Sequence, residues 1–204
     1  MADLSISDEQ DRSLKRPYRM RRRAEQVDET RQRITEAAMR LHTSVGPSNT
    51  TLSGVAEAAG VTRLTVYRHF ADLDALFVAC MGHWSALNPT PDLEAWTRIE
   101  SLPDRAGRAF RELYEWYAVR HEELYPIYRD RSAMPGSAQA AMTAQTDAMA
   151  AAIVPAEKPG GAVRRAVARH LVDFWTWRSL VVEGGLAVPS AAQAAVAMLL
   201  AVEA

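Results

Sequence analysis

The sequence predicts an all-α protein in two parts, and three observations carry that expectation. Apolar residues return at helical spacing (i, i+3, i+4, i+7) in segment after segment. No stretch alternates polar and apolar as a half-buried strand would, and no long internal repeat is present. Breaks containing glycine or proline fall at 60, 88–91, 134–136, 159–161 and 184–185, where one helix must stop before the next begins.

Residues 1–26 are polar, charged and without helical period, so they read as a disordered basic arm. Residues 1–70 hold 12 Lys/Arg and 9 Asp/Glu, a net +3, whereas residues 71–204 hold 12 and 16, a net −4. Within 12–33, nine basic residues (Arg12, Lys15, Arg16, Arg19, Arg21, Arg22, Arg23, Arg31 and Arg33) stand against Glu25, Asp28 and Glu29. A basic amino-terminal stretch on an acidic body is the electrostatic footprint of a polyanion-binding protein. Arg21, Arg22 and Arg23 are candidates to meet that polyanion, and loose phosphate attraction is preferred to insertion in a minor groove.

The first domain is expected over 27–84. A helix over about 28–44, with Asp28 as a plausible N-cap, carries Ile34, Ala37, Ala38 and Leu41 on one face. Leu52, Val55, Ala56 and Ala59 then form one face of a short helix over about 52–59, and Gly60 can end it in a left-handed conformation. Thr62 can cap a second short helix, about 63–70, with Val66 and Phe70 turned inward. Two short helices joined by about three residues including a glycine are a helix-turn-helix, whose second helix fits the major groove of double-stranded DNA. Its outward residues, Thr62, Arg63, Leu64, Thr65, Tyr67, Arg68 and His69, offer hydroxyls, a phenol, an imidazole and two guanidiniums to phosphates or base edges. A solvated helical hairpin is the plain alternative. A connecting helix over about 72–84 carries Leu73, Leu76, Phe77, Cys80 and Trp84 as an unbroken stripe and would act as a lever between the two domains. Gly54 inside the first hairpin helix costs about 1 kcal/mol against alanine.

The run AEAAGVTRLTVYRHF followed by DLDALF resembles the tetracycline-repressor (TetR) family of bacterial transcriptional regulators. The resemblance is specific over about fifty residues and one of layout beyond them. It implies an all-helical homodimer with an amino-terminal DNA-binding domain and a larger ligand-binding, dimerising domain behind it. It also implies that Thr51 caps the first hairpin helix and touches phosphate, that Thr62, Arg63, Leu64 and Thr65 face bases, and that Tyr67 and His69 grip the backbone. Where the family usually places a phosphate-binding lysine, this chain has Leu73; backbone N–H groups at 72–74 are the remaining donors, beside two aspartates.

Residues 85–204 are expected to form the ligand-binding and dimerisation domain. A short helix or loop at 93–100 precedes a helix that Pro103 opens and that runs to Leu124, ended or kinked by Pro126. An alanine-rich helix follows over 138–153, then one over 162–183, then one opened by a Ser190/Gln193 capping box and running to Val202. Val163, Val167, Leu171, Phe174, Trp177 and Val181 line one side of the penultimate helix, and Ala191, Ala194, Ala195, Met198, Leu199 and Val202 line the last. Two such helices from each subunit would make a four-helix dimer interface; burial inside one subunit is the alternative. Tyr114, Tyr117, His121, Tyr125 and Tyr128 recur every three or four residues, giving an aromatic face with polar tips. With walls from Trp96, Trp116, Met142, Met149 and Trp175, that face fits a small-molecule effector, neutral or weakly acidic and partly aromatic, and equally fits an aromatic core.

Other classes are disfavoured. The five histidines lack paired metal-ligand spacing, one cysteine cannot make a zinc ribbon, and no phosphate loop or nucleophile elbow occurs. No metal, cofactor or catalytic residue is therefore expected. No apolar run reaches membrane-spanning length and the first residues lack a signal-peptide order, so the expected location is the cytoplasm, where Cys80 is a buried small hydrophobe rather than a redox sensor. The competing functional class is a small-molecule binding protein with a degenerate helix-turn-helix, motivated by Leu73; an all-helical enzyme is the third.

Overall fold

The computed structural model describes residues 6–155 and 161–202, with side chains from Met20 onward. Among them there are ten α-helices and no strand, and no helix is long and apolar enough to cross a membrane. The chain divides into two compact units, one of residues 1–40 and 51–83, the other of 41–50 and 84–204. Segment 41–50 groups with the second unit, a placement the sequence did not suggest.

In the first unit, α1 (Ile6–Ser44), α2 (Leu52–Ala58), α3 (Arg63–His69) and the first residues of α4 (Leu73–Leu87) enclose a small core. Ile34, Ala37 and Ala38 from α1, Val55 and Ala56 from α2, Val66 and Phe70 around α3, and Leu76, Phe77 and Cys80 from α4 are buried. Two expectations are corrected. The first helix begins at Ile6, not near Asp28, so residues 6–26 of the expected disordered arm are helical; residues 1–5 lie outside the described residues. Residues 20–26 are mostly strong helix formers, and Arg21 pairs with Glu25 one turn on at 3.2 Å. Leu73 is 55% exposed rather than part of the buried stripe. It is the first residue of α4, where no preceding turn exists for its side chain to lie against.

In the second unit, α5 (Leu93–Thr97), α6 (Leu102–Arg129), α7 (Gly136–Ile153), α8 (Gly161–Leu171), α9 (Phe174–Arg178) and α10 (Val188–Leu200) pack around α6. Ser101 caps α6 and Pro103 sits in its first turn, but the helix continues through Pro126 to Arg129. Burial of Leu124 and Ile127 on that last stretch offsets the roughly 3 kcal/mol an internal proline costs. Arg105, buried on α6, donates to the carbonyls of Ile153 (2.7 Å) and Ile99 (2.5 Å), tying the end of α7 to the loop after α5.

The expected single helix over 162–183 is broken. Asp173 caps α9 by accepting from the Trp175 N–H at 2.9 Å, and Ser179–Glu183 forms a π-helical turn after it. At the break side chains donate to the freed carbonyls, Tyr114 OH to Leu171 O (2.9 Å) and Tyr117 OH to Val172 O (2.9 Å), while His170 O accepts from the Asp173 N–H (3.2 Å) and from Thr176 Oγ1 (2.6 Å). The last helix starts at Val188 with Pro189 in its first turn, two residues before Ser190, and no side chain caps it. Finally, Gly46 holds φ 95°, and a Cβ there would collide with the Asp130 carboxylate, which also accepts from the Ser48 N–H at 3.0 Å.

Candidate nucleic-acid interface

The outward helix of the first unit is built by its ends. Thr51 caps α2 by accepting from the Gly54 N–H at 3.1 Å. At the far end Gly60 takes φ 65°, with its N–H on Glu57 O (3.0 Å) and the Val61 N–H on Ala56 O (2.9 Å), a complete glycine C-cap that turns the chain into α3. Thr62 then caps α3, accepting from the Thr65 N–H at 3.2 Å, and the two threonine hydroxyls bond each other at 2.9 Å. With Val66 and Phe70 buried, Thr62, Arg63, Leu64, Tyr67 and Arg68 face outward, while Thr65 and His69 are half-buried. Arg21, Arg22 and Arg23 are exposed on α1.

Arg31 is the residue that sequence reasoning misplaced. Counted among the cations awaiting a polyanion, it instead donates through Nη1 to the His69 carbonyl and lays its guanidinium 4.1 Å from the Phe70 ring centre. It closes the carboxyl end of α3, where free carbonyls favour a cation. Its i to i+4 position ahead of Thr35 gave no signal of a partner 38 residues away. At α4, Asp72 accepts from the Ala75 N–H at 2.7 Å, so its carboxylate engages one of the N–H groups that could otherwise have met a phosphate beside Leu73.

The aromatic residues of the second unit are gathered more tightly than a lined cavity requires. Rings of Trp116, Tyr117, Phe174, Trp177 and His121 meet at 5.5–5.8 Å, Tyr128 stacks on Phe174 at 4.6 Å, and Tyr125 meets Trp175 at 5.9 Å. Tyr114 and Tyr117 are buried with their hydroxyls on backbone carbonyls, Trp116 donates to Pro89 O at 2.9 Å, and Trp96, buried on α5, donates to Glu112 at 2.7 Å. Burial pushes the Tyr128 phenol up to about 12 and raises those of Tyr114 and Tyr117 as well, so all three stay neutral. Met149 is buried and Met142 half-buried on α7. One polar atom in the cluster has no partner among the described residues: the indole N–H of Trp177, a side chain 1% exposed. Beside it His121 places Nδ1 3.1 Å from the Ala118 carbonyl. A cleft of about 560 Å³ opens elsewhere, between α6 and α10, lined by residues including Arg108, Arg111, Gln193 and Val196.

Most of the expected dimer stripe is inside the chain. Leu171, Phe174, Trp177, Ala191, Ala195 and Leu199 are buried in the single subunit, which corrects their assignment to an interface. Small alanines on α10 allow it to pack closely on its neighbours, α6 foremost. Val167 and Val181 are half-buried and Met198 is 42% exposed. Cys80 is also settled: burial pushes its thiol up to about 12 and it donates to Phe77 O at 3.1 Å, an unreactive arrangement. Among the described residues no group of three or more His, Cys, Asp or Glu side chains could hold a metal ion.

Comparison with known proteins converges on the same region. The family model for bacterial regulatory proteins of the tetR family matches residues 34–80. The HTH-type transcriptional regulator AcrR of Shigella flexneri is 46% identical over 57 residues, 28% of this chain and 26% of that protein. SrpR of Pseudomonas putida, also an HTH-type transcriptional regulator, is 43% identical over 76 residues, 36% of each. These matches span roughly a quarter to a third of those relatives' own length. The crystal structure of a tetR-family transcriptional regulator from Streptomyces coelicolor superposes with a TM-score of 0.59 at 18% identity, over 86% of this chain and 80% of that one, which is a likeness of fold.

Proposed function

We propose that the chain is a member of the TetR family of bacterial regulatory proteins, whose model matches residues 34–80, and that it is a homodimeric, DNA-binding transcriptional regulator, a repressor released from a palindromic operator by a small-molecule effector. One observation carries the reading: α3 turns two apolar residues inward, is held at both ends by the protein's own Thr62 and Arg31, and presents Arg63, Leu64, Tyr67 and Arg68 outward. A helix so fixed and so little packed on its outer side is suited to a major groove. Arg63, Leu64, Thr62 and Thr65 meet base edges; Thr51, Tyr67, Arg68 and His69 meet the phosphate backbone; Arg21, Arg22 and Arg23 add attraction that is independent of sequence.

The effector binds in the second unit, at the aromatic cluster of α6 and α9. Support comes from the unpartnered Trp177 N–H beside the His121 imidazole, hydrogen-bonding groups set among rings. A small planar compound bearing hydrogen-bonding functions fits that pair. A second copy of the chain covers the apolar side chains left exposed on α8 and α10, Val163 and Met198 among them, and pairs the two α3 helices for half-sites ~34–36 Å apart. Effector binding changes that spacing through α4, and the protein works in the cytoplasm.

A fluorescence-polarisation titration of the full chain against the duplex flanking its own gene, at stated salt, tests the reading. Saturable binding that Arg63→Ala weakens selectively for that duplex is expected. Equal weak binding to every duplex leaves only the competing class, a small-molecule binding protein with an idle helix-turn-helix.

A further inference from the structure

We infer that Leu64 reads thymine: its isobutyl group closes on the 5-methyl of a thymine in the major groove, so that each operator half-site contains a T·A pair chosen for its methyl. The inference rests on α3 being the groove element and adds the base chemistry it selects. Leu64 is 60% exposed, the most exposed large apolar side chain of the first unit outside α1. An isolated surface leucine needs no explanation. This one stands between Arg63 and Tyr67 on the outward face, within residues 34–80, which match the tetR-family model.

The neighbouring hydrogen bonds narrow what that face can recognise. Thr62 Oγ1 already accepts from the Thr65 N–H, and the two hydroxyls bond each other, so one of the two hydroxyl protons is engaged within the protein. Donor-based readout of the first turn then falls mainly to Arg63, whose fork suits guanine O6 and N7. Leu64 can neither donate nor accept. The one apolar feature that a base pair shows in the major groove is the thymine methyl, which cytosine lacks. A leucine there separates T·A from C·G by contact area alone.

The test begins with duplexes enriched by the full-length protein from a random pool. In the tightest of them each thymine is replaced singly by deoxyuridine, which removes the methyl and leaves the pairing edge intact. One thymine per half-site should be sensitive, its replacement raising Kd about fourfold, the effect of one buried methyl-sized group. Leu64→Ala should bind the thymine and uracil duplexes equally, and Leu64→Met, which keeps apolar reach, should retain part of the preference. Thermal unfolding of both variants should match the parent, since the side chain is exposed. Unchanged affinity for every uracil duplex, or undiminished discrimination by Leu64→Ala, overturns the inference while leaving DNA binding intact. Enrichment of no duplex at all overturns the DNA-binding reading and this inference with it.

Discussion

Phenols stand on both α3 and α6, and the two helices use them in opposite ways. Tyr67 on α3 is 50% exposed, while Tyr114 and Tyr117 on α6 are buried with their hydroxyls on the carbonyls released by the break between α8 and α9. The same residue type therefore marks a surface in one unit and completes a backbone in the other. What decides is the neighbouring element. An unbroken helix has no use for a phenol in its interior, whereas a broken one needs donors for orphan carbonyls. Substitutions that separate folding from binding test this contrast most directly.

The largest separation is expected at Phe174. Its ring meets Tyr117, Trp177 and Trp175 at 5.5–5.6 Å and stacks on Tyr128. Phe174→Ala should cost about 3–5 kcal/mol in urea unfolding. Tyr67→Ala should stay within about 0.5 kcal/mol of the parent and weaken all duplexes alike. Equal stability losses from the two would erase the distinction drawn here.

Acid should act on the second unit. His42 is 8% exposed, and burial lowers its imidazole from 6.5 to about 4. Between those values the unfolded chain takes up a proton that the fold excludes, so this contribution is fully present above pH 6.5 and is lost as pH falls toward 4. The loss should be on the order of 3 kcal/mol at pH 4. Urea midpoints measured across that window should fall with pH, and His42→Gln should flatten the fall.

A finer test is Tyr117→Phe. It keeps the ring contacts and removes the hydroxyl that donates to Val172 O and pairs with Tyr128, so a loss of about 1–3 kcal/mol is expected, the cost of buried polar groups left without their partner. Tyr67→Phe should leave stability unchanged. If Tyr117→Phe is also silent, the broken-helix carbonyls are satisfied otherwise and the cluster is freer to receive a ligand.

The first unit was legible because its signals are local. Gly60 and Thr62 each announce a cap within three residues, Thr51 follows from the family resemblance, and Val66 and Phe70 show the inward face at helical spacing. The second unit was legible in outline, one helix being expected over 162–183 where two form, and much less in its surfaces. Nothing in the sequence near Val172 and Asp173 contains glycine or proline, so the break, and with it the task of Tyr114 and Tyr117, was hidden. Likewise the stripe of Ala191, Ala195 and Leu199 shows that something packs closely on α10 without saying whether the neighbour is within the subunit or another copy; burial places it within the subunit. Arg31 failed for the related reason that a charge run records sign and not partner.

The smallest effect, and the one that reaches furthest into function, concerns that arginine. Arg31 is exposed, so its bond to the His69 carbonyl and its position over Phe70 should contribute no more than about 1 kcal/mol to stability. Because it fixes the end of α3, Arg31→Met should lower affinity for the specific duplex more than for random duplex. Lysine keeps the charge but not the planar stacking, so Arg31→Lys should recover little of that preference. A direct phosphate contact makes a different demand: Arg31→Lys would then bind normally, and Arg31→Met would reduce the slope of log K against log salt by about one. An unchanged slope with lost specificity identifies a residue that aims α3 without touching the DNA.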